Sequence, residues 1–381
     1  MEPECKRQKI DFEVSMLEDL PEEIILKIVS HLALKDLFNC MVLCKRIRSV
    51  ANDNSLWETL NLVHNYQPMA KGMPYTLFPK ILAKGCKYLS VNSCHTYSTG
   101  ENFRFENNYQ LKYLGVIGMS DEFVANVLPD LMASLFSLEK LSVRQELFDM
   151  YPIIFVNTKI YSKFFKCIIQ NSKTLRVLDL GLVELSLESV QHIFNLCQEL
   201  TELNLPALSD EKSMNFLCEN LTSKIEKIDF GSRGILQELR DYQLTALLRR
   251  CNKISELSMY CARVSNDSAS IIIENLSQSL VKLEIDMDNF SLSRILELAA
   301  MPKLQVLCDP SLFDKDNLRI ELEKRLPAHL KPHLNEKLTI VLPYPCPEEE
   351  ELEYDDVTQN CVAPVTNRFW EVETRPRIYQ F

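Results

Sequence analysis

The residues of this chain best suited to chemistry are its 13 cysteines and 6 histidines, and their spacing argues against catalysis. Cys94 and His95 are the adjacent thiol–imidazole pair, the combination that makes a nucleophile when the ring can take the thiol proton. Adjacency does not place a base on a nucleophile, and NSCHTYSTG reads as a surface turn after a strand. His329 and His333 have i,i+4 spacing, but Pro332 between them spoils a helical pair and no cysteine is near enough to join a zinc cluster. The cysteines lie singly, mostly in apolar helical stretches such as those around Cys167, Cys197, Cys218 and Cys251. Cys40 and Cys44 are the closest pair, and no CxxC occurs. They read as small buried hydrophobes rather than a disulfide framework. The 8 glycines form neither GxGxxG nor GxxxxGK[ST], and no GxSxG is present. The expectation is a chain with no catalytic residue, no metal and no cofactor.

Composition narrows the class. The chain has 381 residues, 46% hydrophobic and 25% charged, with a formal net charge of −11. Such a balance is ordinary for a globular protein of more than one cooperative unit, and its acidity argues against general nucleic-acid binding. No apolar run approaches the roughly 18 residues of a membrane span; Tyr151–Val156 is the nearest approach. MEPECKRQKIDFE lacks the apolar core of a secretory leader, so the expected location is cytoplasmic or nuclear. Residues 1–16 read as a solvated tail whose Lys6-Arg7-Gln8-Lys9 cluster could serve nuclear import.

The elements that organise the chain begin at Leu17. In LEDLPEEIILKIVSHL, Pro21 stands where a first helical residue would, with Glu22 and Glu23 in the first turn. Ile24, Ile25, Leu26, Ile28, Val29 and Leu32 cover well over half the circumference. A second segment, Leu37, Phe38, Cys40 to Cys44, is apolar almost all round, the pattern of a buried helix. A piece of this length is too short to make its own core. The order Leu20-Pro21, Glu23-Ile24, Ile28, Leu32, Asp36-Leu37, Val42, Cys44-Lys45, Arg48 and Leu56-Trp57 resembles an F-box across 17–62. That resemblance implies docking on a Skp1-type adaptor, and through it cullin and RING subunits. Leu20, Pro21, Glu23, Ile24, Ile28, Leu32, Leu37, Val42, Cys44 and Trp57 are then the adaptor-binding residues.

After residue 62 the chain becomes periodic. A phrase of the form L-x-x-L-x-L starts at Cys86, Leu111, Leu138, Leu175, Leu200, Ile225, Ile254, Leu280 and, degenerately, Leu304, with a partial copy at Trp57. Starts lie 24 to 29 residues apart except for one interval of 37. Helical patterns separate them at 186–198, 210–222, 236–250, 266–277 and 292–300, several opening with a plausible cap such as Ser209 or Asn266. The array resembles the cysteine-containing leucine-rich repeats, over residues 63–343. It implies an α/β fold in which a small helical F-box precedes a curved solenoid, strands concave and helices convex.

Alternation along each strand aims the variable positions away from the core. The expected substrate face therefore includes Lys140, Arg144, Asp179, Glu202, Asn204, Lys227, Asp229, Glu256, Tyr260, Glu284 and Asp286. Acids outnumber bases from Asp179 onward, which suits a basic target. The long interval predicts a bulge near 146–157 folded back on the neighbouring helix. Residues 344–381 read as an acidic linker followed by a tail whose Phe369 and Trp370 could dock on the solenoid. The reading is a substrate receptor of an SCF-type ubiquitin ligase, without catalysis of its own. A ligase-independent repeat adaptor or inhibitor is the alternative, and a thiol ligase using Cys94 a third.

Overall fold

A computed structural model describes residues 20–32, 34–62, 73–92, 96–97, 104–106, 109–117, 127–144, 166, 168–180, 185–204, 208, 210–230, 239–259, 265–285, 290–308 and 339–341. The expectations for the N-terminal tail, the 146–157 bulge, Cys94-His95, Cys167, His329 and His333, and the tail from 344 onward lie outside those residues. The chain divides into two compact units, 1–114 with 120–136, and 115–119 with 137–381.

The first unit opens with three helices: α1 (Glu22–Val29), α2 (Leu34–Leu43) and α3 (Lys45–Ala51), with α3 packed on both others. Pro21 is the cap rather than the first helical residue, since its ψ of 147° is extended. Cys44 caps α3, its sulfur accepting from the Ile47 N–H at 3.4 Å. A 3-10 turn, Asn54–Leu56, leads directly into β1 (Thr59–Leu62), so the partial copy of the repeat phrase is a real strand. β2 (Met73–Pro74), α4 (Leu77–Ala83), β3 (Tyr88–Asn92), β4 (Thr96–Tyr97), β5 (Tyr113–Ile117), of which only the first two residues belong to this unit, and α5 (Leu128–Ala133) follow. β1 pairs with β3 in parallel, Thr59 opposite Tyr88 and Leu62 opposite Val91, and β5 lies next to β3. β2 pairs with β4, so Thr96–Tyr97 is a short strand where a turn is expected. Gly85, between α4 and β3, has φ of 84°, a conformation that costs a residue with a Cβ more than it costs glycine.

The second unit repeats one arrangement. β6 (Lys140–Arg144), β7 (Val177–Asp179), α6 (Leu187–Leu196), β8 (Glu202–Asn204), α7 (Glu211–Asn220), β9 (Lys227–Asp229), α8 (Asp241–Arg250), β10 (Glu256–Met259), α9 (Asn266–Leu276), β11 (Lys282–Ile285), α10 (Leu292–Ala299), β12 (Val306–Cys308) and β13 (Thr339–Val341) run in that order. The strands from β6 to β13 lie side by side in chain order, and every pair with a described register is parallel. Helices α6 to α10 pack each on the next. β13 carries no repeat phrase and is absent from the periodic reading.

The phrase explains the packing. Its apolar positions are buried throughout: Leu175, Leu178, Leu200, Leu203, Ile225, Ile228, Ile254, Leu257, Leu280 and Leu283 are all within 1% of complete burial. Each helix supplies the other wall, as Val190, Ile193 and Phe194 do from α6. The caps sit one residue from the expected positions: Asp210 takes the Ser213 N–H at 2.7 Å, and Ser265 takes that of Asp267 at 3.0 Å. Cys197 and Cys251 close α6 and α8 at their C-termini and are buried free thiols, as are Cys86 and Cys218. The Cys251 thiol donates to the Thr222 carbonyl at 3.3 Å, tying one repeat to the last.

Candidate functional site

Two surfaces stand out, one in each unit. On the helical module, α1 buries Ile25 and Val29 and turns Ile24 and Ile28 outward, 45% and 46% exposed. The i,i+4 spacing sets these two one above the other on the helix, and Leu32, 37% exposed, follows in the next turn. Val42 and Leu43, at the end of α2, are 74% and 68% exposed. A second helix apolar all round and buried is therefore corrected: Leu34 and Leu37 go inward, while Val42 and Leu43 face solvent. Leu43, which the apolar run of α2 marks as core, belongs to this exposed set as well. Side-chain-to-backbone bonds hold this geometry, with Arg46 donating to the Leu20 carbonyl and the Arg48 Nε donating to that of Met41 at 2.6 Å.

The adaptor-binding residues divide accordingly. Pro21, Glu23, Ile24, Ile28, Leu32 and Val42 are exposed, Leu20 and Cys44 are half-buried, and Leu37 and Trp57 are internal. For Trp57 the correction is complete, because it is fully buried. Its ring lies 5.2 Å from that of Phe38, its indole N–H donates to the Ala51 carbonyl at 2.9 Å, and the Lys84 ammonium sits 5.0 Å over its face. Lys84 also donates to the Asn52 side chain, and Lys87 pairs with Glu58 at 3.0 Å. Partial burial pulls the Lys84 ammonium below its usual range. Trp57 thus ties α2, α3 and the end of α4 together where the chain enters β1, a duty inside the unit.

The other surface is the outward face of the second unit's strands. The registers align the third phrase position into one row, Lys140, Val177, Glu202, Lys227, Glu256, Lys282 and Val306. Its charges largely answer one another. Lys227 lies 2.8 Å from Glu256, and although burial alone would lower the Lys227 ammonium, Glu256, with help from Glu202 and Glu226, raises it. The fifth position forms a second row, Ser142, Asp179, Asn204, Asp229, Ser258, Glu284 and Cys308. Here open exposure is not what the structure gives: Asp179, Asp229 and Glu284 are 2%, 5% and 5% exposed. Mid-strand side chains in a parallel sheet have same-position neighbours about 4.8 Å away on both sides, which crowd out water. Asp179 accepts from the Ser142 hydroxyl at 2.9 Å, and Glu284 pairs with Lys282 at 3.2 Å. The side chain of Arg144 and the whole of Tyr260 and Asp286 lie outside the described residues.

Among the described residues of the two surfaces, the structure gives no cysteine a hydrogen bond to a histidine. The thiols of Cys86, Cys197 and Cys218 are pushed by burial to about 12, and that of Cys251 to about 11, the opposite of activation. Among the described residues no group of three or more His, Cys, Asp or Glu could hold a metal ion. Residues 17–63 match the family model described as F-box-like. That span covers the three helices, the 3-10 turn and β1, and contains every residue of the exposed apolar set on the helical module.

Proposed function

We propose that this chain is the substrate-recognition subunit of an SCF-type ubiquitin ligase. Residues 17–62 dock on a Skp1-type adaptor, and residues 63–343 form a leucine-rich-repeat solenoid that holds a target protein. The observation that carries the reading is the outward apolar set of Ile24, Ile28 and Leu32 on a stretch matching an F-box-like model. Water-exposed isoleucines in register on a short helix are what a partner's apolar groove covers. The stacking of each repeat phrase on the next in parallel register supports the solenoid.

The mechanism is proximity. An adaptor on the F-box and a target on the repeats share one chain. That raises the effective concentration of a target lysine near an E2 thioester delivered by cullin and RING subunits. No residue here performs the transfer, so the chain is a receptor and not the enzyme, and it works in the cytoplasm or nucleus where that machinery resides.

Pull-down of adaptor and cullin by the full chain tests the reading. Leu20→Ala with Pro21→Ala is expected to abolish capture while the repeats stay folded. Capture that survives this change favours the ligase-independent repeat adaptor instead.

A further inference from the structure

The second row of the strand face has a feature that packing does not explain. Ser258 is 4% exposed, and its hydroxyl has no hydrogen-bond partner among the described residues. In the register it stands between Asp229 on β9 and Glu284 on β11. Two strands away the Asn204 side-chain oxygen is buried and likewise without a partner among the described residues, between Asp179 on β7 and Asp229. A buried polar atom left unbonded has given up its hydration with nothing in return, so such atoms call for a partner. Both occur in a row that carries three carboxylates and no base.

We propose that this row is a subsite for lysine or arginine side chains of a bound target, one cation seated at Ser258 and a second at Asn204. This rests on the substrate-receptor reading and names the chemistry of its target. A serine hydroxyl with carboxylates on either side, or an amide oxygen so flanked, presents acceptors that a multi-donor cation satisfies together. A metal ion fits worse, because among the described residues no group of three or more His, Cys, Asp or Glu could hold one. The internal lysine of this region, Lys282, is already drawn to Glu284 at 3.2 Å and is the group an incoming cation displaces. The two seats are about 9.6 Å apart. That matches basic residues three positions apart in an extended polyproline-type segment, which rises about 3.1 Å per residue.

The test is a fluorescence-anisotropy titration of the full chain with a Pro/Ser peptide carrying two arginines three residues apart. Saturable binding is expected, weakening as salt rises, at least tenfold weaker for Ser258→Val and for Asn204→Leu, and tighter for Lys282→Met. Ser258→Val removes an unbonded polar atom, so its Tm is expected to hold or rise. A residue that merely packs predicts no change in peptide affinity. Binding unchanged in Ser258→Val, or equal binding of a peptide with norleucine for arginine, overturns the proposal, as does absence of saturable binding. Adaptor capture by the same preparations keeps the outcomes apart: a chain that holds the adaptor but not the peptide loses the subsite, while the receptor reading stands.

Discussion

Helices α1 and α6 are built from similar letters and come to opposite ends. α6 buries Val190, Ile193 and Phe194 and leaves Leu196, at its last turn, as its exposed large apolar residue. α1 buries Ile25 and Val29 but keeps Ile24 and Ile28 nearly half exposed. The difference lies in the neighbours. α6 has α7 alongside, while α1 is packed against α3 on its inner side. An apolar face left over after internal packing is what the proposed adaptor would cover, and apolar content alone does not reveal it.

The largest effect that separates duty inside the module from duty at its surface is expected at Trp57. Trp57→Ala removes a fully buried indole and its bond to the Ala51 carbonyl, and core Trp truncations cost about 3–5 kcal/mol. Urea unfolding of the full chain should show the first unit melting early. A loss under about 1 kcal/mol would mean Trp57 does not tie the helices together.

Next comes a matched trio. Ile193→Ala and Ile25→Ala each delete a side chain that is 1% exposed and are expected to lower stability by about 2–5 kcal/mol. Ile28→Ala, at 46% exposure, is expected within about 0.5 kcal/mol of the parent. Equal costs at all three would erase the distinction between the two helices.

That contrast also marks how far the letters reach. The repeat phrase placed strands β3 and β5 to β12 because period-two burial and a fixed register leave little freedom, and Leu203 or Leu283 has nowhere else to go. β2, β4 and β13 escaped because none carries the phrase. At Trp57 and Leu37 the motif was right and the duty wrong: a residue can define a module by holding it together without touching its partner. On the strand face, alternation gave the direction of Asp179, Asp229 and Glu284 but not their burial, which depends on the side chains of adjacent strands far away in sequence.

The buried thiols that close α6 and α8, Cys197 and Cys251, give a pH signature. Their folded pKa values lie above the ordinary 9.0, so the unfolded chain loses these protons first. Stability contributed by keeping them neutral is fully present below about pH 9. It falls as pH rises toward 11–12, by up to about 1.4 kcal/mol per pH unit for each thiol. Cys197→Ala with Cys251→Ala should flatten that alkaline slope, and native-state alkylation at pH 8 should spare both. An unchanged slope would contradict the burial argument.

A smaller effect belongs to a cap. Asp210→Ala loses the bond to the Ser213 N–H and is expected to cost about 0.5–2 kcal/mol. The Ser213 hydrogen bonds hold the Asp210 carboxyl below its usual value, so this contribution is present above the unfolded pKa and is lost as pH falls through the folded one. Thermal melts of the variant and parent at neutral and acid pH check it: the difference between them should shrink in acid.

The central claim is that the outward isoleucines of α1 belong to an adaptor. Calorimetric titration of a Skp1-type adaptor into the full chain, and into Ile24→Ala/Ile28→Ala of matched Tm, tests it directly. Each anchor in such an interface is worth about 2–4 kcal/mol, so the double variant is expected to bind at least several hundredfold more weakly at unchanged stability. Parent-like affinity in the double variant, or no binding by the parent, would contradict the account.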